Sequence, residues 1–177
     1  MRRLADQDHI NRFIKALAAL AANHARLYFT GGATAVLLGW RASTIDVDIL
    51  IVPDEDRLLR ALPELKERLE INIELACPAH FIPELAGWQE RSLFITQEGK
   101  LSVFHYDLYA QALAKIERGH TLDVSDVEEM FRRGLIEPTQ MVRHFEAIVA
   151  QLYRYPAIDP RAFRQALQNI VDAFGSG

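Results

Sequence analysis

Apolar positions recur at helical spacing from Ile10 to Ala22, with Ile10, Phe13, Ile14, Leu17 and Leu20 on one face, and this predicts an amphipathic helix that packs on a sheet. The pattern then shortens. Leu27-Tyr28-Phe29 reads as a short buried strand, Gly31-Gly32 as its sharp exit, and Ala33 to Leu38 as the first turns of a helix. A second apolar run, Val47 to Val52, is a strand that Pro53-Asp54 closes, and Asp56 to Leu69 follows as a helix. Ile71 to Ala76 alternates apolar with polar residues and predicts a third strand. Arg91 to Thr96 and Lys100 to His105 flank the turn-like Gln97-Glu98-Gly99, which predicts a hairpin. The remainder reads as helical, and no repeat or low-complexity stretch interrupts it. The fold class expected is α+β: a small mixed sheet flanked by helices, with a helical C-terminal part.

The chemistry of the chain concentrates where the second strand begins. Side chains alternate along a strand, so Asp46 and Asp48 share one face while Ile45, Val47 and Ile49 are expected to face the core. Two carboxylates so placed repel each other unless a cation compensates them. Mg²⁺, or Mn²⁺, is the natural compensator, since it takes hard oxygen ligands and shares them with substrate phosphates. The Gly31-Gly32 exit complements this, because glycine permits close backbone approach and the N–H groups that open a helix attract phosphate.

Composition narrows the classes. With 177 residues, half of them apolar, the chain is long enough to bury a core and is most simply one domain, residues 1–134, continued by a helical extension over 135–177. The formal charge of −4 argues against broad, charge-driven binding of nucleic acid, so any RNA partner must be recognised locally. Cys77 is the single cysteine, which excludes an intrachain disulfide and reads as a buried small hydrophobe. Arg2 and Arg3 open a segment that carries Asp6, Asp8 and His9 rather than the apolar core of a signal peptide, and no run reaches membrane-spanning length. The expectation is a cytoplasmic protein with no membrane partner.

Gly31-Gly32 followed by Asp46-Val47-Asp48 resembles the signature of the nucleotidyltransferase superfamily with the DNA polymerase β-type palm, over roughly Leu27 to Gly134. Trp40-Arg41-Ala42-Ser43-Thr44 resembles the Arg-x-x-Thr approach to the acidic pair in the AbiEii-like branch, which includes the MenT toxins, and a set of uncharacterised bacterial nucleotidyltransferase-like proteins is similar as well. The resemblance implies an NTP substrate, a hydroxyl acceptor such as tRNA, another RNA or a protein, and a possible antitoxin partner. It also implies a third carboxylate from a neighbouring strand. Glu74, which shares a face with Asn72 opposite Ile71, Ile73 and Leu75, is the favoured candidate. Asp107 competes, but its position before Leu108 suits a helix N-cap.

A second constellation runs from Lys115 to Val127. Lys115 and Arg118 are three apart and lie on one helix face, where they are suited to neutralising triphosphate charge. The AbiEii-like proteins carry a similar Lys-x-x-Arg ahead of an Asp-x-x-Asp helix start, and the resemblance assigns Lys115, with Asp123 or Asp126 as the acid, to the site. Without it, Asp123 or Ser125 is an N-cap and Lys115 and Arg118 are surface charges. His80, His105 and His120 lack metal-ligand spacing and read as pocket-edge or structural residues. Trp40 and Trp88 read as core or base-stacking residues, with core favoured. Arg132, Arg133, Arg154, Arg161 and Arg164 are candidates for a basic face toward a polyanion, or simply solvated helix positions.

The expected activity is therefore divalent-metal-dependent transfer of a nucleotidyl group from an NTP to a hydroxyl. Asp46, Asp48 and Glu74 hold the metal in this reading, while Gly31, Gly32, Arg41, Thr44, Arg118 and Asp123 contact substrate. Two alternatives compete: a non-catalytic binding or regulatory module that keeps the palm, and a small-molecule nucleotidyltransferase of the aminoglycoside-modifying kind.

Overall fold

A computed structural model describes residues 3–175. Arg2, read above with Arg3 as the start of a segment without an apolar core, lies outside the described residues. The chain divides into two compact units: one takes in the residues up to Cys77 together with Ser92–Tyr106, the other Pro78–Arg91 together with the residues from Asp107 onward.

The first unit is α+β. Its elements are α1 (Gln7–Leu20), β1 (Ala25–Thr30), α2 (Gly32–Leu38), β2 (Asp46–Val52), α3 (Asp56–Leu69), β3 (Asn72–Leu75), β4 (Leu93–Glu98) and β5 (Leu101–His105). The strands form one mixed sheet in the order β3-β2-β1-β5-β4. β1 runs antiparallel to β2 and parallel to β5, while β2 and β3 are parallel. The hydrophobic periodicity of α1 is realised in space: Ile10, Phe13, Ile14 and Leu17 join Leu58, Leu62 and Leu65 of α3 in one core with Leu27, Phe29, Val47, Ile49 and Val103 of the sheet. Asp6 caps α1 by accepting from the His9 N–H at 3.0 Å, and Glu70, in the left-handed conformation, ends α3.

One expected core position turns out otherwise. Ile45 is 39% exposed, because regular pairing of β2 begins only at Asp46 and the preceding residues contact the chain through a lone bridge between Thr44 and Ala5. Leu75 is 52% exposed as the last residue of a four-residue edge strand. The hairpin also shifts. β4 starts at Leu93 and runs through Gln97 and Glu98, so the turn falls at Gly99-Lys100, and Arg91 belongs to a short helix instead.

The second unit is helical: α4 (Trp88–Arg91), α5 (Leu108–Arg118), α6 (Thr121–Arg132), α7 (Pro138–Ile148) and α8 (Pro160–Gly175), with 3₁₀ turns at Pro78–His80 and Val149–Arg154. Leu113 and Ile116 of α5, Met130 of α6, Phe145 of α7 and Phe163 and Leu167 of α8 are all buried, and Phe145 meets Phe163 edge-to-face at 4.9 Å. Among the described residues no helix is long and apolar enough to cross a membrane.

One buried polar contact braces the turn between β1 and α2. His105, 4% exposed and opposite Phe29 in the β1–β5 register, lies with Nδ1 3.0 Å from the Thr34 hydroxyl. That hydroxyl donates to the Phe29 carbonyl at 3.3 Å, so the neutral ring carries its proton on Nδ1. Burial pushes the imidazole down to about 4.

The unfolded chain therefore takes up a proton near pH 6.5 that the folded chain refuses until about 4, so stability is full above 6.5 and falls as the pH drops through that window. The His105 contribution is roughly 3 kcal/mol. Urea unfolding of wild type and His105→Gln at pH 7, 5.5 and 4 should show a shallower decline in the variant, and equal declines would refute the assignment.

Candidate active site

The end of β1, the turn after it and the start of β2 converge through missing side-chain atoms. Thr30 pairs with Asp48 across β1 and β2. Gly31 follows at a φ of +64°, and a Cβ there would stand 2.8 Å from Oδ2 of Asp48. The Asp48 carboxylate thus lies against bare backbone. Gly32 does something different. The space a Cβ would need is filled by Thr44, whose Oγ1 overlaps it and whose own Cβ would be 2.7 Å away, with the Arg41 guanidinium at 3.3 Å. Thr44 is buried, and its hydroxyl donates to the Asp46 carbonyl at 3.0 Å.

The parallel register of β2 and β3 completes the array by setting Asp46 opposite Asn72 and Asp48 opposite Glu74. Neighbouring strands lie about 4.8 Å apart, so the four polar side chains form a compact square. Val47, Ile49 and Ile73 are buried behind it. Asp46 and Asp48 are half-buried, while Asn72 and Glu74 are exposed. The Asn72 amide donates to Oδ1 of Asp46. Asn72 also lines a cleft of about 620 Å³ with Ile45, Lys66, Glu67, Glu70 and Ile71. Among the described residues no three His, Cys, Asp or Glu side chains close into a metal-ligating group.

Asp46, Asp48, Glu74, Gly31, Gly32, Arg41 and Thr44 therefore all sit in the first unit, around one turn and one strand pair. The sequence reading missed two contributors. Asn72 was visible on the acid-bearing face of its strand, but its bond to Asp46 depends on a pairing across 26 residues of chain. The His105–Thr34 contact spans 71 residues and has no local signal at all.

Lys115, Arg118, Asp123 and Asp126 lie together in the second unit, where they form a closed ion cluster. Lys115 Nζ is 2.8 Å from Asp126 Oδ2 and 3.5 Å from Asp123 Oδ1. Arg118 grips Asp123 in a fork, Nε to Oδ2 at 2.7 Å and Nη2 to Oδ1 at 2.6 Å. Lys115, Asp123 and Asp126 are all buried. Burial pushes the Asp123 carboxyl up, but the Arg118 and Lys115 cations outweigh it and hold the group below its ordinary range. α6 starts at Thr121 with His120 at its cap, so neither Asp123 nor Ser125 is the N-cap, and Lys115 is no surface charge.

Asp107, the competing third acid, caps α5 by accepting from the Tyr109 N–H at 3.1 Å, and is buried against Arg91 at 2.7 Å. Four of the late arginines have side-chain partners: Arg132 and Arg133 pair with Glu128 and Glu129 of α6, Arg164 of α8 pairs with Glu146 of α7, and Arg154 donates to Tyr153. Cys77 and Trp88 are buried, whereas Trp40 is only half-buried.

A family model described as nucleotidyltransferase of unknown function (DUF6036) matches residues 9–165. No curated protein and no solved structure matches the chain.

Gly32→Ala should cost roughly 1–3 kcal/mol by forcing Thr44 from its seat, measured as a drop in the unfolding midpoint; an unchanged midpoint would show that the contact yields freely. Lys115→Ala strands the buried Asp126 and should cost roughly 3–5 kcal/mol, while a Lys115→Met/Asp126→Leu pair should recover most of it in denaturant titrations.

Proposed function

The chain belongs to this family of nucleotidyltransferases, and on that footing we propose that it moves a nucleoside monophosphate from an NTP to a hydroxyl acceptor with the help of a divalent cation. The observation that carries the reading is the Asp48 carboxylate lying on the bare backbone of Gly31, with Asp46 two residues away on the same face of β2. A carboxylate pair beside a glycine turn brings metal ligands and phosphate-binding backbone into one place.

The donor set fits Mg²⁺ or Mn²⁺. Asp46, Asp48 and Glu74 offer hard carboxylate oxygens from one side of two adjacent strands, and the square contains no cysteine or histidine to favour a softer ion. Such a cation, bound there, would offset phosphate charge and polarise the α-phosphate. The protein's own groups do the rest. Backbone at Gly31-Gly32 approaches the phosphates without side-chain obstruction, and the Arg41 guanidinium beside Gly32 meets the charge that builds on the departing pyrophosphate. Glu74 takes the proton of the acceptor hydroxyl on a carboxylate oxygen as the new O–P bond forms and the bond to pyrophosphate breaks.

The acceptor is engaged locally. Arg132, Arg133 and Arg164 of the candidate polyanion face are paired with glutamates on their own unit, which supports recognition of a single hydroxyl, on an RNA end, a protein side chain or a small molecule, near the carboxylate square. The AbiEii-like reading, in which the protein is a toxin held by an antitoxin, is supported by the Arg-x-x-Thr resemblance at Arg41 to Thr44. A binding module without turnover is the second reading. It is favoured by the lack of a closed three-ligand group among the described residues.

Incubation with each α-labelled NTP, Mg²⁺ and a mixture of RNA, protein and small hydroxyl acceptors should transfer label with one nucleotide, and Asp48→Asn should lower the rate by a factor of 10² or more, on the order of 3 kcal/mol. Binding of that nucleotide without label transfer would favour the binding module. Equal transfer by Asp48→Asn would overturn the carboxylate assignment.

A further inference from the structure

Asp46 is held from two directions. Its backbone carbonyl accepts from the Thr44 hydroxyl at 3.0 Å, and its side chain accepts from the Asn72 amide on the adjacent strand. Thr44 is immobilised in turn, because it fills the space left by the missing Cβ of Gly32. We infer that Asn72 is a positioning residue that orients the Asp46 carboxylate toward a divalent cation. This rests on the reading of Asp46 and Asp48 as metal carboxylates.

The chemistry of the amide explains the choice of residue. Asn72 donates an N–H to Oδ1, which restricts the rotation of the carboxylate and leaves Oδ2 for another partner. A carboxylate at the same place would add like charge to Asp46, and a lysine would neutralise it and compete with the metal. The amide does neither. The two pairs of the square are therefore unlike: Asn72 serves Asp46 with a neutral donor, and Glu74 faces Asp48 with a further carboxylate. Partners that hold a ligating side chain commonly contribute ten- to a hundred-fold to metal affinity.

Asn72 is exposed on an edge strand, so its replacement need not disturb the core. Asn72→Ala removes the donor. Asn72→Val also removes it, while favouring the strand more than asparagine does. Mn²⁺ binding by the wild type, both variants and Asp46→Asn, followed by calorimetry and by the Mn²⁺ paramagnetic signal, separates the possibilities, with unfolding midpoints recorded without metal.

The expected result is a weakening of Mn²⁺ binding by roughly ten-fold or more in both Asn72 variants, with metal-free midpoints close to wild type. Wild-type affinity in Asn72→Val would make the role one of strand support and overturn the inference while leaving the metal reading intact. Mn²⁺ binding that is equal in wild type and Asp46→Asn, or absent from both, would overturn the metal reading, and the inference with it.

Discussion

The absence of two Cβ atoms, at Gly31 and Gly32, is the constraint on which the rest of the first unit depends. One vacancy lets a carboxylate from β2 rest on the backbone that follows β1, and the other seats Thr44, which ties the entry of β2 to its first aspartate. Neither arrangement tolerates a larger residue without displacing an atom that is itself hydrogen-bonded or charged. Close approach of this kind is a short-range steric condition, so it transmits little strain elsewhere and leaves the hydrophobic core behind the sheet free to be ordinary.

Charge is distributed differently in the two units. The first gathers three carboxylates and an amide on one side of two parallel strands. The second gathers two cations and two carboxylates in the Lys115 cluster, which is compensated within itself, and desolvation there is tolerable only because each buried charge has a partner at hydrogen-bond distance.

The family match and the carboxylate square support the same reading from independent grounds. The match covers 9–165, and so says that the whole framework, rather than a short motif, has the nucleotidyltransferase pattern. The square says which residues of that framework bring carboxylates together beside the glycine turn. Fold alone does not assign chemistry, since one scaffold hosts many activities.

Much of this was legible in the chain. The periodicities of α1 and α3, the short strands and the pairing of Gly31-Gly32 with Asp46 and Asp48 are local patterns, spaced within a few turns or residues, and they determined the elements, the core face and the acidic face of β2. Ile45 was misjudged because alternation extends only as far as pairing does, and regular pairing of β2 begins at Asp46. The Asn72–Asp46 bond, the His105 brace and the compensation of Lys115 belonged to the tertiary structure alone. Each depends on which strand or helix lies beside which, and that is decided by contacts between residues too far apart in the chain for any local period to carry the information.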